Sequence, residues 1–226
     1  ARTGYLEPGP LAARLQAGEI ALVGKTEAEV SAELSRQIIA EGHQRVNFAI
    51  VAAGENAASP HHHAGDRVIR AGEGVLCDFG GTMIGDDGIG YCSDITRCVW
   101  TDGSPDREFL EAYAVLHEAQ AVGVRSATVG APAQDIDRAT RQKIVDGGFG
   151  SYFIHRTGHG IGVEAHEDPY IVEGNAKTLE HGNAFSIEPG IYIPGKWGMR
   201  LEDIVVANDA GPDPLNTVDH QLAVLG

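Results

Sequence analysis

Four carboxylates in this chain stand inside or against apolar, strand-like segments, and that placement restricts what the chain can fold into. Asp78 follows Val75-Leu76-Cys77, Glu188 follows Phe185-Ser186-Ile187, Glu202 precedes Ile204-Val205-Val206, and Asp94 sits before the run from Ile95 to Trp100. A carboxylate on a buried strand needs a counter-charge; unpaired, it costs several kcal/mol or stays protonated. Taken singly, the acids are explained by nearby arginines, Arg97 for Asp94 and Arg200 for Glu202. Taken together with His159, in Thr157-Gly158-His159-Gly160-Ile161-Gly162, they point to one divalent-metal cage. Four carboxylates and an imidazole can hold two dications and the water between them, with carboxylates bridging ions about 3.5–4 Å apart. Oxygen ligands favour hard cations and the imidazole shifts the preference toward transition metals. The cofactor expectation is two divalent ions, Mn²⁺ or Co²⁺ first and Zn²⁺ or Fe²⁺ next.

The formal net charge of −15 argues against nucleic acid or an anionic membrane as partner. At 226 residues the chain can bury a sizeable core as one large domain or two intimate halves. Cys77, Cys92 and Cys98 are odd in number and lack C-x-x-C spacing, which suits small buried hydrophobes in a reducing compartment. No stretch approaches the ~18 apolar residues of a membrane helix, and no signal-peptide pattern is present. A cytoplasmic location is the expectation.

Residues 1–18, with Gly4, Pro8, Gly9 and Pro10, read as a loose leader before a domain spanning 19–226. Thr26 and Glu29 form a T-x-x-E capping box, and Val30, Leu34 and Ile38 follow on one helical face that stops near Gly42. Strands are expected at Val46–Val51, Val75–Phe79 and Ile95–Trp100, with a loop over 54–66. Ser104-Pro105 reads as a cap with proline at the first helical position, ahead of the face Phe109, Ala112, Tyr113, Leu116 and Ala119. A further helix is expected from about Pro132 to Val145, then strands and loops to Val206. Val23-Gly24, Ile38 and Gly42 match Val129-Gly130, Ile144 and Gly148 at a constant offset of 106 residues (129 − 23, 144 − 38). Two similar α+β halves would put a pocket at their seam; two capped helices can also resemble each other by chance. The glycines around His159 superficially suggest a nucleotide loop, but the strand-turn-helix context is missing. They fit close approach of the backbone to a metal or substrate.

The motifs Ser93-Asp94-Ile95-Thr96-Arg97, His155-Arg156-Thr157-Gly158-His159-Gly160-Ile161-Gly162, Glu164-Ala165-His166-Glu167, Ile187-Glu188-Pro189-Gly190-Ile191-Tyr192-Ile193-Pro194-Gly195 and Arg200-Leu201-Glu202-Asp203 together resemble the pita-bread metallopeptidases. The resemblance is to the branch with prolidase (Xaa-Pro dipeptidase) and aminopeptidase P, over roughly residues 20–208. Methionine aminopeptidases share the fold but carry a Q-F-E-H-type segment where this chain has Arg200-Leu201-Glu202-Asp203. The resemblance implies an α/β (α+β) pita-bread fold of two pseudo-symmetric halves with the site between them, and a catalytic domain without the family's N-terminal domain. It implies that Asp78 chelates one metal, that Asp94 and Glu202 bridge both, and that His159 and Glu188 complete the set. Asp86 and Asp87, in a turn-like insertion near 84–90, are rivals to Asp78; Asp78 is preferred because it follows an apolar strand.

The resemblance also implies catalytic roles for His61, His166 and Glu188 and substrate contacts for His155 and Arg200. His62 and His63 would face solvent or pack. The reaction implied is hydrolysis of the bond before proline in a peptide with proline at the second position, by a metal-bridging hydroxide. Glu188 would relay the proton, His166 would steady the oxyanion, and His61 would hold the leaving side or the peptide backbone. Dipeptidase and aminopeptidase both stay open, a homodimer is one assembly available to such a chain, and neither nucleic acid nor membrane is expected as a partner. The alternatives are a methionine-aminopeptidase-like general aminopeptidase and a non-catalytic pita-bread binding protein.

Overall fold

The computed structural model describes residues 8–226. The first part of the chain forms α1 (Gly9–Gln16), α2 (Glu27–Ala40), β1 (Arg45–Ala53), β2 (Glu73–Ile84), β3 (Gly90–Cys92), β4 (Ile95–Thr101) and α3 (Arg107–Ser126). The second forms α4 (Ala133–Asp146), β5 (Gly158–Gly160), β6 (Glu167–Ile171), β7 (Ala184–Ile187), β8 (Gly190–Ile193), β9 (Trp197–Arg200), β10 (Asp203–Val206), β11 (Asp213–Pro214) and β12 (Ala223–Leu225).

The capping box at Thr26 closes in both directions: Glu29 N–H donates to Thr26 Oγ1 at 3.1 Å, and Thr26 N–H donates to Glu29 Oε2 at 2.8 Å. Two expectations need correction. The loose leader is in part a helix, α1, because Leu11, Ala12 and Leu15 share one face and bury fully beside α2 and the first sheet. Residues 1–7 of that leader lie outside the described residues. The Ser104-Pro105 cap is not used either: α3 starts at Arg107 with Asp106 at the N-cap position and no side-chain cap bond. Its start is set by the apolar stripe beginning at Phe109, whose burial outweighs a single cap.

The first sheet runs β1-β2-β4-β12, with β3 folding back on β2. Successive residues of a strand point to opposite faces. In β2, Val75, Cys77 and Phe79 therefore enter the core under α1 and α2, while Leu76 enters the core that holds α3. Asp78 shares the face of Leu76. The register pairs Asp78 with Thr96 and Phe79 with Ile95, so Asp94, two residues before Thr96, falls on the same face.

The second sheet runs β11-β10-β7-β5-β6 and covers a smaller core of Ile136, Ile171, Phe185, Ile187 and Val205 under α4. The β8–β9 hairpin pairs Gly190 with Arg200, and β7 pairs Ile187 with Asp203. Glu188 and Glu202 are thereby caught side by side where the hairpin leaves the sheet. An isolated antiparallel bridge, Thr96 to Glu202, joins the two halves at this point.

The repeat is real in space. Helix α4 is α2 displaced by 106 residues at both ends (133 − 27, 146 − 40). Gly24 and Gly130 precede them with φ 84° and 86°, and a lone bridge anchors each entry, Thr26 to Val68 and Pro132 to Thr178.

Candidate metal centre

Asp78, Asp94, His159, Glu188 and Glu202 converge on one cavity of about 540 Å³ at the seam between the halves. His61, His155, His166 and Arg200 line the same cavity, so every residue singled out as a site candidate is brought together there. Asp87 is not: it sits in the β2–β3 turn, accepts from Tyr91 Oη at 2.7 Å and lines a different cavity. Asp78 is therefore the carboxylate of that region placed at the seam.

Candidate ligand atoms of Asp94, His159 and Glu202 all lie within 4.8 Å of one another. Glu188 Oε1 is 3.2 Å from His159 Nε2, and Asp94 Oδ2 is 3.9 Å from it. The imidazole orientation is fixed from behind. His159 Nδ1 lies 3.1 Å from the Gly160 carbonyl, which can only accept, so Nδ1 carries a proton, and Nε2, turned to the acids, donates to Glu188 when the ring is protonated and would offer a lone pair to a cation. Ser186 Oγ accepts from His159 N–H at 2.9 Å and donates to Glu188 Oε1 at 3.0 Å, so one hydroxyl orients both residues. Gly158 makes this possible: a Cβ there would meet the Ser186 carbonyl oxygen at 1.8 Å. Gly158 and Gly160 thus serve the approach of neighbouring strands.

The arginines pair differently from the simple expectation. Arg97, fully buried, bonds Asp203 at 2.8 Å, not Asp94. Arg200 spends its donors on Asp78, on Tyr192 Oη at 2.8 Å and on Thr96 Oγ1 at 3.2 Å. Thr96 in turn donates to Glu202 Oε2 at 2.5 Å. Tyr192 and Thr96 stand inside the family motifs but were not singled out as site residues; the alternation of β4 would have placed Thr96 beside Asp78, whereas nothing local turns Tyr192 toward Arg200.

His155 is held at both nitrogens. Nδ1 donates to the Arg156 carbonyl at 2.6 Å, and Tyr192 Oη donates to Nε2 at 2.8 Å. Burial holds this imidazole down at about 4, so it is neutral at physiological pH. His166 stacks edge-on against His159 with ring centroids 4.0 Å apart. Burial and the His159 ring push its value down. His62 belongs elsewhere: its Nε2 is 2.7 Å from the buried Glu27 carboxylate.

Electrostatics provide the test of whether a metal suits these residues. Burial pushes Asp94 and Glu202 well above the usual carboxylate range, and each is pushed further by the neighbouring acids. Asp78 is raised by burial too, partly offset by Arg200. Glu188 is the exception: burial is outweighed by the hydrogen bond and charge of His159, which hold it at about 2. Asp78 Oδ1 and Glu202 Oε1 are buried with no hydrogen-bond partner among the described residues. Hard-oxygen donors crowded with one imidazole lone pair, and with oxygens left to satisfy, suit divalent cations.

Arg156 was also missed. It lines the cavity, its guanidinium lies 5.1 Å over the Tyr170 ring, and its buried Nε lacks a partner among the described residues. Phe48, Ile50 and Val172 supply apolar wall. The three cysteines are free and buried. Among the described residues no helix is long and apolar enough to cross a membrane.

The family model for metallopeptidase family M24 matches residues 11–209. A probable dipeptidase PepE of Mycobacterium tuberculosis is 45% identical over 207 residues, which is 92% of this chain and 54% of the relative. An Xaa-Pro dipeptidase of Lactobacillus delbrueckii subsp. lactis is 42% identical over 204 residues, 89% of this chain and 54% of the relative. The crystal structure of dipeptidase PepE from Mycobacterium ulcerans superposes with a TM-score of 0.89 at 43% identity, covering 96% of this chain and 58% of that one. The chain spans about half the length of the curated relatives it matches. Its two facing halves are the pita-bread arrangement.

Proposed function

We propose that this chain, which belongs to metallopeptidase family M24, hydrolyses the peptide bond before proline, as an Xaa-Pro dipeptidase or aminopeptidase. The observation that carries the reading is the convergence of Asp78, Asp94, His159, Glu188 and Glu202 on one buried cavity. These five would hold two divalent cations, Mn²⁺ or Co²⁺ before Zn²⁺ or Fe²⁺. When bound, the cations supply charge compensation for the acids, a water acidified toward neutral pH and polarisation of the scissile carbonyl.

The remaining chemistry falls to the chain's own groups. Glu188, ionised at neutral pH and oriented by Ser186, takes the proton of the attacking water and delivers it to the leaving nitrogen. His166, beside His159 and open to the cavity, donates to the oxyanion that develops on the carbonyl. His61, on the loop after the Gly54–Ala58 turn, contacts the leaving side. Arg200 donates to Asp78, Tyr192, Thr96 and the Pro60 carbonyl, and His155 is held at both nitrogens. Both line the cavity, and Tyr192, which links them, holds them in position to contact substrate. An Xaa-Pro amide has no N–H to recognise, so selection rests on shape, and Phe48, Ile50 and Val172 provide an apolar surface for a pyrrolidine ring.

The test strips metal with a chelator, restores Mn²⁺ or Co²⁺, and assays Xaa-Pro dipeptides, longer Xaa-Pro peptides and Met-Ala peptides. Metal-dependent cleavage of the Xaa-Pro substrates is expected. Activity that survives complete metal removal defeats the mechanism, and equal kcat/KM on Met-Ala peptides defeats the proline preference.

A further inference from the structure

Behind the wall that carries Asp94 and Glu202 runs the C-terminal segment, beyond the residues 11–209 that the family model matches. Asn216 lies in it and is 2% exposed. Its Oδ1 accepts from the Ile204 N–H at 2.6 Å, and its Nδ2 donates to the Asp94 backbone carbonyl at 3.2 Å. Leu215 N–H donates back to the Ile204 carbonyl at 2.8 Å. One side-chain amide thus fastens the backbone of an acid in the first half to the strand that begins beside an acid of the second.

Asp94 stands in the link between β3 and β4, outside either ladder, and Glu202 stands between β9 and β10. Among the described residues their backbones meet indirectly, through the Glu202 N–H on the Thr96 carbonyl at 3.3 Å and through Arg97 Nη1, which donates to the Thr96 and Glu202 carbonyls at 3.0 and 2.7 Å. Their separation therefore depends on what ties the two links from behind. We propose that Asn216 is a positioning residue for the metal centre, its amide setting the spacing of Asp94 and Glu202. It touches neither substrate nor cation. An amide suits the place because it must accept on one side and donate on the other; an apolar side chain of the same size does neither.

The rest of the tail is anchored independently. Arg97 donates to the Val218 and Asp219 carbonyls at 3.0 and 3.1 Å, Tyr113 Oη donates to the His220 carbonyl at 2.9 Å, and β12 pairs in parallel with β4. Removing the Asn216 amide should leave the tail docked and free only the two acid-bearing links.

This inference rests on the reading of the five residues as metal ligands. The experiment titrates Mn²⁺ calorimetrically into metal-stripped wild type, Asn216→Leu, Asn216→Asp and Tyr113→Phe, with amide hydrogen exchange at Ile204 and kcat and KM on an Xaa-Pro dipeptide. Asn216→Leu should weaken Mn²⁺ binding by about 10–100-fold, the usual effect of losing an outer-shell contact. It should also lower kcat with little change in KM and speed exchange at Ile204. Asn216→Asp keeps the acceptor for Ile204 but not the donor for Asp94, so it should restore exchange protection without restoring Mn²⁺ affinity. Tyr113→Phe, which loosens the same tail elsewhere, should lower the melting temperature and leave Mn²⁺ affinity as it is. Wild-type Mn²⁺ affinity in both Asn216 variants overturns the inference alone, and Asn216→Asp decides the matter if the leucine variant does not fold. A wild-type protein that takes up no Mn²⁺ overturns the metal reading and this inference with it.

Discussion

The two halves share a plan yet hold their site residues by different means. In the first, Asp78 lies in the middle of a twelve-residue strand, β2, whose neighbours are buried on both faces. Backbone pairing on both sides and apolar packing above and below fix its direction. In the second, His159, Glu188 and Glu202 come from or beside strands of three or four residues, too short for the ladder to orient a side chain. Side-chain hydrogen bonds do that instead: Ser186 for His159 and Glu188, Asp137 for the Thr157 backbone and hydroxyl at 3.0 and 2.7 Å, and Arg97 with Asp203 behind Glu202. The lesson is that a long strand positions an acid with apolar contacts, while a short one needs buried polar partners that are costly to disturb.

The sharpest way to break this comparison is to remove one polar anchor from each half. Asp203→Ala leaves Arg97, fully buried, without its carboxylate, and should cost about 3–5 kcal/mol in urea unfolding. Glu27→Ala, in the first half, removes the acceptor for the Ala53 N–H at 2.8 Å and a partner of His62, and should cost roughly 1–3 kcal/mol. If the Glu27 variant proved the less stable of the two, the contrast between the halves would not stand.

An effect of the same size as that at Glu27 is expected at Gly158. Gly158→Ala drives a methyl into the Ser186 carbonyl, pushing β5 from β7, and should cost about 1–3 kcal/mol. Mn²⁺ affinity should fall with it, because His159 and Glu188 share Ser186; unchanged affinity would detach the metal centre from that contact. Smaller again is Thr26→Ala, which opens the capping box of α2 and should cost about 0.5–2 kcal/mol. Helix α4 begins after Pro132 with no side-chain cap bond, so Pro132→Ala should show no such loss of a cap.

The smallest effect concerns pH. Burial pushes the His43 imidazole below its usual value, and the ring sits between the Ile38 carbonyl at 3.2 Å and Ser93 Oγ at 2.9 Å. Below pH ~6.5 the unfolded chain takes up a proton that the folded chain resists, so the unfolded state binds more protons and stability rises with pH. The contribution is full above pH ~6.5, declines as pH falls through that value, and levels off below the lowered folded value. Urea midpoints of wild type and His43→Gln between pH 5 and pH 8 check it: the wild-type curve should bend below pH 6.5 and the variant's should bend less.

The acids were legible because a carboxylate beside an apolar strand is conspicuous wherever it occurs, and the capped helix at Thr26 because all its signals are local. The helix pair separated by 106 residues was legible for the same reason. The first turn of α3 was misplaced because a cap is a weak local preference that burial of Phe109 overrides. Helix α1 was missed because it is short and glycine- and proline-flanked, and only Leu11 and Leu15 meeting the first sheet make it worth forming. Tyr192 and Arg156 stand inside motifs read for their ligands, and nothing local tells which of a motif's other residues face the cavity; Asn216 stands in no such motif.

What the sequence determined alone was the set of chemically unusual residues and the periodicities that place each on a strand, helix or link, since both depend on neighbours a few residues away. The tertiary structure decided which charges answer which. Arg97 could reach Asp94 by sequence but faces Asp203, Arg200 could reach Glu202 but faces Asp78, and a tail asparagine reaches both acid-bearing links. Electrostatic pairing and hydrogen bonding act through distances of a few ångströms, and those distances are set by how the two halves close on each other rather than by separation along the chain.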